Sequence, residues 1–344
     1  MPTRQHREEL AVNGGPRSVE EELPREWPGL LWIDEEEKRM VLDALRKQDA
    51  FADALGNDLK EFYGCCHAFP VNSGTGALYT ATAALGIGPG DEVLVPGFAW
   101  IPTYACIVSR GAIPVLVEVG EDLCMDPEDM KLKITPRTAA AIVVHMCGAA
   151  ADMDPIMEVA RRHKLKVIED CAQAATMKYR GRFVGLIGDV GCFSLQQNKH
   201  LTCYYGGYLL CQDEKLARAL NLSRDTGIER SMNVVDHRNK NEVMWGMGYG
   251  MNPLARGMAQ AQMRKADRII GSMQHAQHRI LTGISGIEGV KPRPLADPES
   301  DGGSFLITYW PDKAPAVRAA EALQPERVRQ WTWHLPDYGC HIYS

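Results

Sequence analysis

The sequence predicts an α/β fold in which a mostly parallel sheet lies between helices, followed by a smaller C-terminal α/β domain. Short, nearly continuous apolar runs alternate with helical patterns between residues 68 and 195. Such strands, separated by helices, are typical of parallel sheets covered on both faces. The 344-residue length allows one large and one smaller domain. We expect an N-terminal arm (1–35), a large domain (36–252), and a linker helix with the small domain (253–344).

The predicted elements follow one another along the chain. Strands are predicted at 68–71, 92–95, 113–117, 139–145, 166–170 and 190–195, and in the small domain at 304–309. Helices are predicted at 34–48, within 72–86, and at 102–109, 127–132, 153–164 and 214–223. The run 252–281 has almost no helix breakers and predicts the linker helix. Because ligands of parallel sheets bind where the strands end, we expect the functional residues at those positions.

Composition favours a soluble protein that acts on small molecules. Charged residues make up 24% and the net charge is -6 at pH 7. A negative net charge does not favour binding to nucleic acid or to an anionic membrane. No apolar run approaches the roughly 20 residues of a membrane helix, and the charged N-terminus lacks a signal-peptide pattern. The ten cysteines form no CxxC pair and several lie in apolar runs, which favours reduced thiols over disulfides or a metal site. We therefore expect a cytoplasmic location.

The turn at residues 73–76, Ser-Gly-Thr-Gly, joins the first predicted strand to the next helix. Gly74 lets backbone N–H groups approach a phosphate, and the positive end of the helix at Thr75 favours a dianion. The same sequence suits a tight turn in which Ser73 or Thr75 caps the helix. A dinucleotide site fits less well, because Tyr79 stands where that fingerprint requires its third glycine.

Three residues near other strand ends suit a pyridine ring. Asp170 ends one predicted strand, and a carboxylate there keeps a pyridine nitrogen protonated. Gln173 can contact a ring oxygen, and the indole of Trp100 can stack on the ring. Each has a simpler alternative role: a structural hydrogen-bond acceptor, a capping amide, and a core or interface side chain.

The segment 188–207, GDVGCFSLQQNKHLTCYYGG, carries one lysine in the turn after an apolar strand. A lysine in a polar loop is usually a solvated surface residue. Lys199, however, follows the phosphate turn, the aromatic residue and the aspartate in the order found in fold type I enzymes of pyridoxal 5'-phosphate (PLP). Ser194 can bind the phosphate, while Lys199, deprotonated by desolvation near a cation, can form a Schiff base with the aldehyde.

The chain resembles the DegT/StrS family of PLP-dependent sugar and cyclitol aminotransferases. The likeness is carried by LAVNGGP, VNSGTGALYTATAALGIGPGDEVLVPGFAW, TPRTAAAIVVHMCGAAADMDPI, ARRHKLKVIEDCAQA, YRGRFVGLIGDVGCFSLQQNKHLT and GYGMNPLARGMAQAQ, which cover roughly residues 10–265. The QQNKHLT segment is most similar to the branch that aminates keto-cyclitols, often with glutamine as donor, and to the aminohydroxybenzoate synthases.

By position, the resemblance implies that Lys199 is the Schiff-base lysine and that Asp170, with Gln173 beside it, holds the pyridine nitrogen. It implies ring stacking by Trp100. It also implies phosphate contacts by three residues, Gly74, Thr75 and Ser194. Asn252 matches an asparagine that reaches the phosphate in the neighbouring subunit, so the resemblance further implies a homodimer whose active sites lie at the interface.

The implied reaction is a ping-pong transamination, from an amino acid such as glutamine or glutamate to a keto-sugar or keto-cyclitol. The chain departs from the family after the lysine, where Tyr204 and Tyr205 replace a glycine and a glutamate; we expect these phenols to narrow the acceptor pocket. Family members also continue beyond the point that matches the last residues, so the small domain is expected to be short or incomplete. Two alternatives stay open: an elimination or dehydration by a PLP enzyme of the same family, and a non-catalytic regulatory homologue.

Overall fold

The computed structural model describes residues 15, 28–46, 54–227, 230–231, 234–235 and 245–323. Most of the expected N-terminal arm and residues 324–344 lie outside the described residues. The boundaries expected at residues 35 and 252 stay predictions.

A seven-stranded, mostly parallel sheet forms the centre of the fold, so the predicted α/β class is confirmed. The strands in chain order are β1 (His67–Val71), β2 (Glu92–Pro96), β3 (Ile113–Val117), β4 (Thr138–Val144), β5 (Lys166–Asp170), β6 (Lys178–Tyr179), β7 (Arg182–Phe183), β8 (Val190–Ser194), β9 (Gly207–Cys211), β10 (Arg230–Ser231), β11 (Val234–Val235), β12 (Lys291–Pro292) and β13 (Thr308–Tyr309). The main sheet has the order β1-β9-β8-β5-β4-β2-β3, and β9 is antiparallel to both neighbours.

The described residues form ten α-helices. In chain order they are α1 (Glu35–Arg46), α2 (Ala54–Tyr63), α3 (Gly74–Ala84), α4 (Ile101–Val108), α5 (Pro127–Leu132), α6 (Met153–His163), α7 (Glu214–Arg224), α8 (Pro253–Arg264), α9 (Ala266–Ile284) and α10 (Lys313–Leu323). Strands β2, β8 and β9 are buried along their whole length, so both faces of the sheet are covered.

Helix α2 and strand β9 have no counterpart among the sequence predictions, and neither do the short strands β6, β7, β10 and β11. Helix α2 packs on β1 and α8, and β9 lies between β1 and β8. Strand β9 has the sequence GYLLC, and it pairs antiparallel with β8 after the loop of residues 195–206. Its position as the second strand of the sheet depends on pairing with β1, which is more than 130 residues earlier in the chain, so no local pattern could predict it.

The predicted single linker helix over 252–281 is wrong, because the chain forms α8 and α9 with a break at Lys265. Lys265 has φ −97° and ψ 1°, and its side chain turns inward to the buried Glu37. The predicted strand 304–309 is also too long. Only Thr308 and Tyr309 form β13, which pairs with β12, while Phe305 and Ile307 pack against the core.

The described residues agree with two features of the composition. The nine cysteines among them are free thiols, and eight of these are buried. In the described ranges no helix combines the length and the apolar character that crossing a bilayer requires.

Candidate active site

The ends of the parallel strands bring seven of the eight predicted site residues to one edge of the sheet. Strands β2, β4, β5 and β8 run parallel, and β1 has the same direction because β9 is antiparallel to both β1 and β8. The residues that end or follow these strands at that edge are Gly74, Thr75, Trp100, Asp170, Gln173, Ser194 and Lys199. This is the edge where open parallel sheets bind their ligands.

Asp170 is the last residue of β5 and is 5% exposed. Its Oδ2 accepts a hydrogen bond from Thr103 Oγ1 at 2.9 Å, and its Oδ1 accepts one from the Ala172 N–H at 3.1 Å. Burial raises the pKa of this carboxyl, and the two hydrogen bonds and the Lys199 ammonium oppose that rise. These two hydrogen bonds hold the carboxylate in one orientation.

Lys199 lies in the loop of residues 195–206 after β8, which we call the lysine loop, and is partly buried. Burial lowers the pKa of its ammonium, and the negative charge of Asp170 opposes that change. The two groups therefore influence each other's ionisation at the same edge. A lysine with a lowered pKa is more often the neutral amine, the form that attacks an aldehyde.

The next residue, His200, ties the lysine loop to the segment after β5. It is 4% exposed, and its Nε2 lies 3.0 Å from the carbonyl oxygen of Ala175. Burial lowers the pKa of His200 to about 4, and the nearby Lys199 charge acts in the same direction. The neutral ring therefore donates its Nε2–H to that carbonyl at neutral pH.

The turn after β1 brings Gly74 against Ser194. A Cβ atom on Gly74 would lie 2.7 Å from Cβ of Ser194 and 3.2 Å from its Oγ, closer than side-chain atoms pack. Ser73 caps α3, because its Oγ accepts a hydrogen bond from the Gly76 N–H at 2.9 Å. The capping role that the sequence left open for Ser73 is thus present, next to an exposed Thr75 at the start of the helix. Backbone, helix N-terminus and a serine hydroxyl converge here, as phosphate binding requires.

In this structure Gln173 acts as a capping amide, which is one of the two roles that the sequence left open. Its Oε1 accepts a hydrogen bond from the Cys147 N–H at 2.9 Å. Cys147 has a left-handed φ of 52° in the turn after β4, and Arg293 donates to the carbonyl of the preceding Met146 at 2.8 Å. Gln173 therefore fixes a strained turn at the edge of the site, and a contact to a cofactor stays a prediction.

Trp100 and Asn252 lie at the surface of the single chain. Trp100 precedes α4 and is 54% exposed. Asn252 is exposed and caps α8, with its Oδ1 accepting from the Ala255 N–H at 3.0 Å. Tyr204 and Tyr205 are also exposed, at 53% and 70%. Ring stacking, the contact to a second subunit and the narrowing of the acceptor pocket stay predictions.

Thr103 and His145 help to hold the site and were not predicted from the sequence. Thr103 is fully buried in the first turn of α4, and its hydroxyl bonds Asp170. The Nδ1 of His145 accepts from the Ala151 N–H at 3.1 Å, so its Nε2–H donates to Oε2 of Glu169 at 3.0 Å. The available signal was a polar side chain in an apolar segment at a strand or helix end, as in IPTYAC and VVHMCG.

The atoms of His145, Glu169 and Cys171 that could bind a metal lie within 4.8 Å of one another. Hydrogen bonds account for this cluster. Besides the bond from His145, the Glu169 carboxylate accepts backbone N–H groups from Gly185, Ile187 and Gly188 at 2.8, 2.8 and 2.6 Å. Glu169 thus closes the loop that leads into β8, directly beside Asp170.

Solved structures share this fold. The crystal structure of 3-amino-5-hydroxybenzoic acid synthase has 26% sequence identity and a TM-score of 0.77, covering 88% of this chain and 80% of that one. The crystal structure of S. venezuelae DesV has 28% identity and a TM-score of 0.77, covering 88% and 82% of the two chains. The expected fold type I architecture is confirmed by these neighbours.

Among curated relatives, the L-glutamine:scyllo-inosose aminotransferase of Streptomyces griseus is 38% identical over 231 residues, 64% of this chain and 54% of that protein. The dTDP-3-amino-3,4,6-trideoxy-alpha-D-glucose transaminase of Streptomyces venezuelae is 35% identical over 295 residues, 83% of this chain and 76% of that protein. The chain spans about half the length of the cyclitol aminotransferases it matches, 54% and 41% in two cases.

A profile of the DegT/DnrJ/EryC1/StrS aminotransferase family matches residues 32–330. That range includes the turn after β1, the end of β5 and the lysine loop. The resemblance expected from the sequence is confirmed, and the chain belongs to the DegT/DnrJ/EryC1/StrS aminotransferase family.

Proposed function

We propose that this chain is a PLP-dependent aminotransferase that transfers an amino group from glutamine or glutamate to a keto-sugar or keto-cyclitol. The observation that carries the proposal is the placement of Lys199 and Asp170, whose charges affect each other at the end of the sheet. The names of the relatives support the substrate class, since they include a glutamine:scyllo-inosose aminotransferase and a dTDP-sugar transaminase.

The donor set at the edge of the sheet fits PLP. Close approach of Gly74 to Ser194 leaves a cradle that a Cβ would fill, beside the N-terminus of α3. We assign Gly74, Thr75 and Ser194 to the phosphate and Asp170 to the pyridine nitrogen. Lys199 would bind the aldehyde, and Trp100 and Gln173 would contact the ring.

When bound, PLP supplies an aldehyde for the amino donor and a ring that withdraws electrons from the reacting carbon. The residues of this chain supply position and proton transfer. Asp170, held by Thr103 and Ala172, keeps a proton on the ring nitrogen. Lys199, with its lowered pKa, would act as the base whose Nζ takes a proton from the donor's α-carbon and delivers it to the former aldehyde carbon of the cofactor. His200, neutral and bonded to Ala175, limits movement of the lysine loop.

One experiment tests both the cofactor and the reaction. The purified protein should become yellow with PLP, and Lys199→Ala should remain colourless because no amine is left to bind the aldehyde. Adding glutamine or glutamate should bleach the yellow protein as PLP becomes pyridoxamine phosphate, and a keto-cyclitol should restore the colour. A colourless wild type would refute PLP binding and leave the non-catalytic alternative. A yellow protein that no common amino acid bleaches would refute transamination in favour of the elimination alternative.

The proposal includes a homodimer whose active sites lie at the interface. It is supported by the exposed position of Asn252 and by the exposed apolar side chains of Trp100 and Ile101 after β2. Mixing inactive Lys199→Ala subunits with inactive Asn252→Leu subunits should restore roughly a quarter of the wild-type activity, because half the dimers then contain one intact site. Mixtures that stay inactive would refute the shared site.

We also propose that the protein acts in the cytoplasm. The buried free thiols among the described residues are typical of a reducing compartment.

A further inference from the structure

The lysine loop is attached to the rest of the molecule at Lys199 itself and three residues later, at Thr202. The Gly29 N–H donates to the carbonyl oxygen of Lys199 at 3.2 Å, and a Cβ on Gly29 would lie 2.7 Å from that oxygen. Three residues after the lysine, the N–H of the fully buried Thr202 donates to Oε1 of Gln262 at 3.4 Å. The first partner lies before α1 and the second lies on α8, so two distant segments meet at the loop.

Gln262 is in turn bonded to a buried ion pair. Its Nε2 donates to Oε1 of Glu37 at 2.7 Å, and Nζ of Lys265 donates to Oε2 of the same carboxylate at 2.7 Å. The three side chains are 0%, 2% and 9% exposed in that order. Lys265 also donates to the carbonyl oxygen of Trp32 at 2.8 Å and pairs with Asp34 at 3.1 Å.

This arrangement has a fixed hydrogen-bond direction. An ammonium only donates and an ionised carboxylate only accepts, so Lys265 and Glu37 require the NH₂ group of Gln262 to face Glu37. The amide oxygen of Gln262 then faces Thr202, where it accepts the loop N–H. The same lysine holds the segment that ends in Trp32, and Gly29 on that segment holds the carbonyl of Lys199. One buried cation therefore acts on both attachments of the loop.

Stability does not explain a buried ion pair at this place. The free energy needed to remove two charges from water is about as large as the free energy gained from their attraction. Apolar side chains of the same volume often give a fold of equal stability. Hydrogen bonds of fixed direction do fix one arrangement of the chain, which apolar contacts specify less sharply.

We propose that Lys265, Glu37 and Gln262 are positioning residues for Lys199, which hold its loop in the arrangement that presents the amine to the cofactor. The inference rests on the proposed function, because it assigns a purpose to the place of Lys199. None of the three residues contacts the reacting atoms. They act through the backbone at Lys199 and Thr202.

Helix α8 offers a matched control for the test. Gln260 is a second buried glutamine on the same helix, 3% exposed, and its Nε2 donates to Oδ2 of Asp58 at 2.7 Å. Gln262→Met and Gln260→Met both remove one amide from the same helix without changing its length. Only the first removes a bond to the lysine loop.

Two measurements on the full-length chain separate positioning from stability. Hydrogen exchange of the cofactor-free protein should speed up in the peptide over 196–205 in Gln262→Met and stay at the wild-type rate there in Gln260→Met. PLP titration should show binding weakened about three- to tenfold by Gln262→Met, the effect of one lost hydrogen bond, and changed less than about twofold by Gln260→Met. Equal effects of the two variants on both readouts would overturn the proposal.

The same measurements distinguish a failure of the proposed function from a failure of the positioning proposal. If the wild type does not bind PLP, the proposed function is wrong, while the exchange comparison still decides whether Gln262 holds the loop. If Gln262→Met does not fold, Glu37→Gln has the same shape without the charge, and the two measurements apply to it with the same expectations. Unchanged loop exchange and unchanged PLP affinity in Glu37→Gln would likewise overturn the proposal.

Discussion

The turn after β1 and the lysine loop lie at the same edge of the sheet but are held in different ways. The helix cap of the turn is local, from Ser73 to Gly76, and one distant bond joins Asn72 to Tyr249. The lysine loop is bonded to residues 29, 175 and 262, from three separate parts of the chain. A phosphate needs a helix N-terminus, which local sequence supplies. A reactive lysine needs a fixed position and partial desolvation, which only the folded chain supplies.

This difference predicts an order of effects. Changes to buried groups that hold the lysine loop should cost more than changes to the local cap of the turn, and a mutation that forces the two regions apart should fall between them.

The largest effect is expected from the acid titration of His200. Its pKa in the folded protein, about 4, is below the ordinary value of 6.5, so the unfolded chain binds the proton first. The stability that depends on neutral His200 is therefore complete above about pH 6.5 and lost as the pH falls towards 4, by about 3 kcal/mol in total. Urea unfolding of the wild type and His200→Gln at pH 7, 5.5 and 4 measures it. His200→Gln should lose that much less stability on acidification, and equal losses would contradict the assignment.

The second effect tests the contact between the two regions. Gly74→Ala places a Cβ 2.7 Å from Cβ of Ser194 and should lower the free energy of unfolding by about 2 kcal/mol. It should also weaken PLP binding, because the cradle for the phosphate is filled. Gly271→Ala, in open space on α9, is the control and should leave PLP affinity unchanged. Unchanged stability and affinity in Gly74→Ala would show that the cradle is looser than the structure indicates.

The third effect concerns Asp170, which lies between the two regions. Thr103→Val keeps the shape of the side chain and removes the 2.9 Å hydrogen bond, so the pKa of Asp170 should rise further. A lost hydrogen bond to a carboxylate costs about 1.5 kcal/mol, which should appear as PLP binding about tenfold weaker. Thr82→Val, which removes a buried hydroxyl from α3, is the control. If both valine variants bind PLP like the wild type, Thr103 does not position Asp170.

The smallest effect should come from the local cap. Ser73→Ala removes the acceptor for the Gly76 N–H and should cost about 1 kcal/mol of unfolding free energy. Asp213→Ala removes the equivalent cap of α7, far from the site, and should cost a similar amount. Thermal or urea unfolding compares the two. A loss of unfolding free energy in Ser73→Ala greater than that in Gly74→Ala would contradict the proposed order of effects.

The sequence predicted the parts of the site that depend on short segments. The strand ends, the Ser-Gly-Thr-Gly turn and the positions of Asp170 and Lys199 after strands of the sheet follow the prediction, because apolar runs and glycine turns leave a local pattern; the binding of a cofactor by these residues stays a prediction. Thr103 and Gln262 were not, since their partners lie 67 and 60 residues away. The break at Lys265 was missed for the same reason. The side chain of Lys265 turns to the buried carboxylate of Glu37 on α1, and the helical pattern of 252–281 gives no sign of that contact.

Trapping the cofactor on the chain tests the central claim most directly. Wild-type protein incubated with PLP and reduced with borohydride should carry one pyridoxyl group, and peptide mapping should place it on Lys199. The Lys199→Ala protein should carry none at any of its remaining lysines above the level seen in a denatured control. A pyridoxyl group on another lysine, or labelling of wild type and variant to the same extent, would contradict the account.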